Sequence, residues 1–410
     1  MRFLHAHATH PQADLVLSRV WAQLESQGVN ALGATLGWCY VTEQLAPQIA
    51  AILRGLRERL PGVAWVGGVG VGVLASGVEY IDEPAMAVMV STLPSDDFRV
   101  FSGRQPLPPL PRDGRSALAL HSGVGFVPHT AQVHADASTP ELQELLAELA
   151  ERTRTGYLFG GLSTGGAHSF HLALDPLAEH GEQAPGVWSG GISGVAFSDR
   201  AHLVSRVTQG CQPIGVARQI TAATRNVVYE LDGEPALQCL LRDLNLTAAV
   251  TSQGLPREVL PKVRATLVGL TDANSDLLES RQHFGADTRV RHLIGLDPQR
   301  QGVAVSDLVE PGMHLAFCQR NVAAARRDLV RICAEIREEF DPQDGTSRPP
   351  AGAIYISCAG RGGPHFGGPN AEMQIIQHAL GDIPLVGMFA GGEIARHHLY
   401  GYTGVLTVFA

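Results

Sequence analysis

Lysine is almost missing from this chain: Lys262 stands alone against 30 arginines in 410 residues. That removes most candidates for a Schiff-base or P-loop lysine. No C-x-x-C pair occurs, and the six cysteines (39, 211, 239, 318, 333 and 358) lie far apart. A zinc ribbon, a thioredoxin-type redox pair and a secreted disulfide framework are excluded on that spacing, and reduced core thiols are expected. No apolar run is long enough to span a bilayer, and Met1-Arg2-Phe3-Leu4-His5-Ala6-His7 does not read as a signal peptide, so a cytoplasmic protein is expected. Basic excess is lacking too. A net charge of −9 argues against a sequence-independent grip on nucleic acid. Histidines at 5, 7, 10, 129, 134, 397 and 398 have no i, i+4 ligand spacing, and no H-E-x-x-H occurs. Neither a metal site nor a cofactor is expected.

What is abundant is glycine and apolar surface: 46 glycines, with 45% hydrophobic residues against 17% charged. Such a chain can bury substantial cores, and its length accommodates two or three domains. Three blocks repeat one plan of helix, tight break, apolar strand, paired glycines and further strand. They are "LAPQIAAILRGLRERL" (45–60) into "VAWVGGVGVGVL", "PELQELLAELAERT" (140–153) into "YLFGGLSTGG", and "NAEMQIIQHALG" (370–381) into "LVGMFAGGEI". The second helix has a Ser/Thr cap signal, and Asn370 reads as the cap of the third. "EPAMAVMV", "VWSGGISGVAFS" and "YTGVLTVFA" follow as strands. Strands following strands, with helices over one face, predict an internally duplicated α+β fold of mixed or antiparallel sheets, in outline αββα layers. Residues 102–116 and 338–352 read as loops, "NVVYELDGEPALQCLLRDL" as strand, Asp232-Gly233 turn and helix. A change of character near 206–215 places the boundary at 208, giving domains 1–208 and 209–410.

Gly161-Leu162-Ser163-Thr164-Gly165 matches the G-x-S-x-G elbow of serine hydrolases, and Gly70–Ala75 matches G-x-G-x-x-A. Both motifs must open a helix, and both continuations read as strand. Ser163 is therefore expected as a pocket hydroxyl, and Gly160 and Gly161 as places of close backbone approach. Two loops carry the chemistry. In "IYISCAGRGGPHFGGPN" a strand delivers Ser357 and Cys358 to a glycine-rich turn with Arg361, Gly362 and His365, ending at a helix N-terminus. Backbone donors there suit an anion, Arg361 could pair a carboxylate, and Arg361 beside Cys358 would favour its thiolate. In "GMFAGGEIARHH" Glu393 follows Gly391 and Gly392, placed to accept an amine.

The runs "YISCAGRGG", "VGMFAGGEI", "LYGYTGVLTVF", "QGCQPIG", "VVYELDGEPAL" and "GMHLAFCQRN" resemble a FIST C-terminal domain, and "LRERLPGVAWVGGVGVGVLASGVEYIDEPAMAVMV" with "YLFGGLSTGG" resembles a FIST N-terminal domain. The likeness runs from about Asn30 to the end. It implies a ligand-binding sensory protein of bacterial signal transduction, with no established catalysis. On this resemblance the SCAxRG cysteine and arginine fall on Cys358 and Arg361, and G-G-E on Gly391, Gly392 and Glu393. The chain departs from it at Gly68, where the family often has cysteine. The expected ligand is an amino acid or other small anionic or zwitterionic metabolite, with output through a separate signalling partner. Two other classes stay open: a cysteine enzyme using Cys358 with His365 or His398 as base, and a protein-interaction scaffold.

Overall fold

In a computed structural model the described residues are 1–110, 125–164, 169–176, 186–246, 256, 259–273, 288–341 and 347–410. They pack as two units, Met1–Thr208 with Arg326–Ala410, and Gln209–Ala325.

The larger unit builds the repeated plan three times, each centred on one mixed six-stranded sheet. The first sheet runs Phe3–Thr9, Ala85–Ser91, Leu36–Thr42, Ala64–Gly70, His171–Leu174, Val187–Trp188. The second runs Phe98–Phe101, Ile192–Phe197, Thr130–Asp136, Leu158–Ser163, Glu393–Arg396, His398–Tyr400. The third runs Leu203–Gln209, Thr403–Phe409, Gly352–Cys358, Leu385–Ala390, Gly72–Ala75, Val78–Ile81. In each, one central pair is parallel: Leu36–Thr42 with Ala64–Gly70, Thr130–Asp136 with Leu158–Ser163, Gly352–Cys358 with Leu385–Ala390. Helices Ile49–Arg59, Leu142–Glu151 and Ala371–Leu380 join these pairs, as a parallel connection requires.

The last two strands of every sheet come from another repeat. The chain crosses from first to third sheet after Gly70, from second to first after Ser163, and from third to second after Ala390. At the crossings the strand ends lean on one another: Thr164 N donates to Val69 O (2.9 Å), Val71 N to Phe389 O (2.9 Å) and Leu162 N to Gly392 O (2.8 Å). The inner faces share one core, in which Trp38, Tyr40 and Val66 meet Phe159, Val195 and Phe197, and Ile354, Ile356 and Phe409. Three sheets, not two, thus meet where sandwich layers were expected. Helices Ala13–Ser26 and Ile49–Arg59 cover the outer face of the first sheet, and Leu142–Glu151 that of the second.

The glycines answer to this construction. Gly67 and Gly160 hold φ of 143° and 146°, and a Cβ on either would stand 1.9 Å from the carbonyl oxygen of the parallel neighbour, Cys39 or Val133. Gly387 occupies the matching place, 1.7 Å from Tyr355 O. The pair 391–392 therefore does not repeat 67–68 and 160–161; it forms the crossing itself. One position on, small residues interleave between sheets: a Cβ on Gly68 would be 2.5 Å from Ser163 Oγ, and one on Gly161 2.9 Å from Ala390 Cβ.

The unit Gln209–Ala325 enters the chain between the outer strand Leu203–Gln209 and the helix Val322–Phe340 of the third repeat. Its described strands are all antiparallel, and Leu267–Thr271 pairs with both Arg289–Asp297 and His314–Arg320, closing the sheet on itself. Ile220, Val228, Leu237, Leu240, Val268 and Phe317 fill it. Asp232 and Gly233 both take positive φ (50° and 78°), the turn that Asp-Gly predicts.

Two helix starts differ from the sequence reading. Helix Leu142–Glu151 has no side-chain cap. Ser138 Oγ instead bonds Asp136 Oδ1 (2.8 Å), and Thr139 Oγ1 accepts from Gly191 N (2.8 Å). Asn370 takes φ 61° and does not cap its helix; its Oδ1 accepts from Glu79 N (2.7 Å).

Candidate functional site

Alternation along Gly352–Cys358 sends Ile354 and Ile356 into the shared core and turns Tyr355 and Ser357 to the opposite face, under helix Ala371–Leu380. There both hydroxyls donate to the carboxylate of Glu372, Ser357 at 3.1 Å to each oxygen. Beyond the strand the chain turns back, Arg361 N donating to Cys358 O (2.8 Å), and a 3₁₀ turn spans Gly363–Phe366.

Arg361 is completely buried. Its Nε donates to Glu372 Oε1 at 3.2 Å, Nη1 lies 3.4 Å from the carbonyls of Thr208 and Tyr402, and the guanidinium sits 5.0 Å over the Phe366 ring. Nη2 has no partner among the described residues. Burial opposes the charge, but the Tyr355 oxygen and the Glu372 carboxylate more than restore it, raising the pKa above the usual arginine value.

Glu393 opens the strand Glu393–Arg396, in register with Gly161 across the crossing. It too is completely buried. Its Oε2 accepts from Thr403 N (3.1 Å) and Thr403 Oγ1 (2.7 Å), and Oε1 has no partner among the described residues. Burial raises its pKa to about 8, against the pull of the Thr403 donors and of Arg361. Cys358 is a further hydrogen-bonding neighbour of this carboxyl, whose protonated form is favoured near neutral pH.

The same surroundings correct the expectation of a thiolate at Cys358. Burial first, then the Glu393 carboxyl, push the thiol up to about 12, and Arg361 pulls only weakly the other way. A partly exposed cysteine at a strand end is here a neutral thiol.

The helix N-terminus is not open to the ligand anion expected there. The first-turn donors reserved for a ligand anion are taken by Glu79, on the strand Val78–Ile81 delivered by the first repeat. Its Oε1 accepts from Glu372 N (2.9 Å) and Met373 N (3.3 Å), and Oε2 from Gly363 N (3.3 Å). The chain supplies its own anion.

The remaining sequence-predicted residues sort by position. Gly362 lies against Phe389, where a Cβ would come within 2.6 Å of the ring. His365 stands in the 3₁₀ turn, edge-on to Phe366 with centroids 5.8 Å apart. Gly391 faces Thr164, and Gly392 O receives Leu162 N. The strand holding Gly160, Gly161 and Ser163 thus adjoins the strand that Glu393 opens just after the Gly391–Gly392 crossing, although 230 positions separate Gly161 from Gly391 in the chain. Ser163 ends its strand fully buried, and the next described element is again a strand, as expected for a serine that is not an elbow nucleophile. Tyr355, Ser357, Glu372, Thr403 and Glu79 were not anticipated as partners. Polar side chains at alternate positions of a buried strand were the one available signal.

Family comparison agrees with the motifs. The FIST N domain matches residues 35–234 and the FIST C domain residues 236–396. This chain belongs to the FIST family. FIST domains are known as sensory domains in signal transduction. An uncharacterized protein of Mycobacterium tuberculosis is 31% identical over 390 residues, covering 93% of this chain and 92% of the relative. One from Mycobacterium bovis is 28% identical over 388 residues, covering 92% and 90%. A solved cyanuric acid hydrolase from A. caulinodans aligns with 100% of this FIST chain and 99% of its own at 13% identity, with a TM-score of 0.28, too low to bear on fold or function. No described helix is long and apolar enough to cross a membrane.

Proposed function

We propose that this FIST protein is a sensor whose third-repeat loop binds a small anionic or zwitterionic metabolite, an amino acid being the simplest that fits. The observation that carries this is the pair Arg361 and Glu393. Both are completely buried, each acts electrostatically on the other, and each has one polar atom, Nη2 or Oε1, without a partner among the described residues. Buried donors and acceptors are almost always satisfied, so two orphans in one place favour a ligand that completes them. In the free protein the protonated Glu393 carboxyl and Nη2–H are both donors, matched to a carboxylate. A ligand ammonium would instead meet Glu393 as a carboxylate and displace its proton. The signal would pass to a separate partner in the cytoplasm.

Calorimetry with a panel of amino acids and short carboxylates tests the reading. Binding that is lost in Arg361→Ala supports it; a hit bound equally well by that variant removes Arg361 from the site. The competing cysteine enzyme is disfavoured by the neutral Cys358 thiol. Labelling with iodoacetamide checks this, since a hyperreactive Cys358 would reverse the preference.

A further inference from the structure

Between the first and second sheets of the larger unit, at the edge of the shared core to which Trp38 and Tyr40 belong, lies a polar seam. Trp38 Nε1 donates to Gln132 Oε1 (2.7 Å), Gln132 Nε2 donates to the Tyr40 hydroxyl (2.8 Å), and that hydroxyl lies 3.0 Å from His134 Nε2. The arrangement that satisfies all three has Tyr40 donating to His134 Nε2, which leaves the proton of His134 on Nδ1. His134 Nδ1 is buried with no partner among the described residues.

Beside it, His171 Nε2 lies 3.2 Å from Gly190 O and therefore carries the proton, while Nδ1 accepts from Ser193 Oγ at 2.5 Å. Strand register gathers these groups. Tyr40 and His171 flank Gly68 in the first sheet, and Ser193 and Gly161 flank His134 in the second. Ser163 enters over Gly68, the position with no side chain of its own. Ser163 Oγ and Thr164 Oγ1 are likewise buried without partners among the described residues. His134 and Ser163 are both fully buried. A hydrogen bond left unmade at such depth costs about 1–3 kcal/mol per group, and among the described residues none of these three atoms has a partner.

We propose that this seam is a second binding site, for a small uncharged molecule carrying a carbonyl group, of the amide or urea type. His134 Nδ1–H donates to the carbonyl oxygen. The hydroxyls of Ser163 and Thr164 can donate or accept, and so meet either an oxygen or an N–H of the same molecule. Charge decides against a carboxylate. Burial, with each other's proximity for His134, pushes His134 down to about 3, and burial pushes His171 down to about 4, so neither imidazole offers a cation. Asp136 adds a negative charge already engaged by Gly190 N (2.9 Å) and Ser138. A bare anion would enter unpaired, at high cost.

The seam adjoins the Glu393 loop through Gly161, which pairs with both His134 and Glu393, and the test separates the two sites. Histidine side-chain ¹⁵N spectra of the whole chain are titrated with acetamide and with ethyleneurea, and separately with acetate. Expected are saturable shifts at His134 with the neutral probes, acetate at least tenfold weaker, and about a tenfold loss in Ser163→Ala, the effect of one hydrogen bond. Glu393→Gln should leave the titration unchanged. Unmoved His134 resonances in the parent protein overturn the proposal, as does acetate binding as tightly as acetamide. So does an unchanged affinity in Ser163→Ala. A loss in Glu393→Gln as large as in Ser163→Ala would assign the binding to the loop site instead.

Discussion

Glu79 caps the helix that carries Glu372: its Oε1 accepts the Glu372 backbone N–H at 2.9 Å, across 293 positions of sequence. One carboxylate thereby ties the hairpin of the first repeat to the helix of the third. Burial, then the neighbouring Glu372 charge, raise its pKa, so the cap depends on the helix dipole and three backbone donors to remain ionised. Glu79→Ala is expected to lower stability by about 1–2 kcal/mol, read from urea denaturation. An unchanged midpoint would mean that the cap contributes nothing.

Arg361 and Glu372 form a fully buried ion pair. Removing one member strands the other, which typically costs about 3–5 kcal/mol. Glu372→Ala should therefore destabilise the protein far more than Arg361→Lys, which keeps the charge but loses the fork of donors. Equal effects in thermal denaturation would contradict the pairing.

The pH dependence of stability has two opposed sources. The folded pKa of Glu393 is raised to about 8 from an ordinary 4.5. Its contribution is fully present below 4.5 and is lost as pH rises through 8, because the unfolded chain releases the proton first. His134 and His171 are depressed to about 3 and about 4 from an ordinary 6.5, so theirs is present above 6.5 and is lost as pH falls toward those values. Glu393→Gln should flatten the decline between pH 5 and 8 and leave the acid side untouched. Melting temperatures across pH would show both slopes.

At Gly160, alanine would need a positive φ and would place its Cβ 1.9 Å from Val133 O. Gly160→Ala is expected to cost about 3 kcal/mol or more, since neither backbone nor neighbour can give. Gly156→Ala, at a positive φ but in open space, should cost about 1 kcal/mol. Comparable losses would show that the conformation and not the crowding matters.

These contrasts explain what the sequence could disclose. Helix Ala371–Leu380 and strand Leu385–Ala390 follow from apolar spacing and a glycine break, which are local signals. The paired glycines at 160–161 announced close backbone approach, and the structure identifies what approaches: the carbonyl of Val133 and the side chain of Ala390. That the chain changes sheets after Ser163 was not legible, because a strand's letters state its period and not its neighbour. Arg361 read as an arm for a ligand carboxylate because arginine is rarely buried unpaired; its partner Glu372 sat unremarked in the next helix. The cap from Glu79 and the seam around His134 depend on contacts between repeats, for which no spacing rule exists.

As a sensor site, Arg361 and Glu393 together would hold a small charged metabolite. The most direct measurement is calorimetry of the intact protein with the amino-acid and carboxylate panel at pH 7, repeated in buffers of different ionisation heat. Expected is a saturable hit, weakened at least tenfold in Arg361→Lys and in Glu393→Gln, with proton release when the hit carries an ammonium group. A hit whose affinity is the same in both variants, or a panel without any hit, would contradict it.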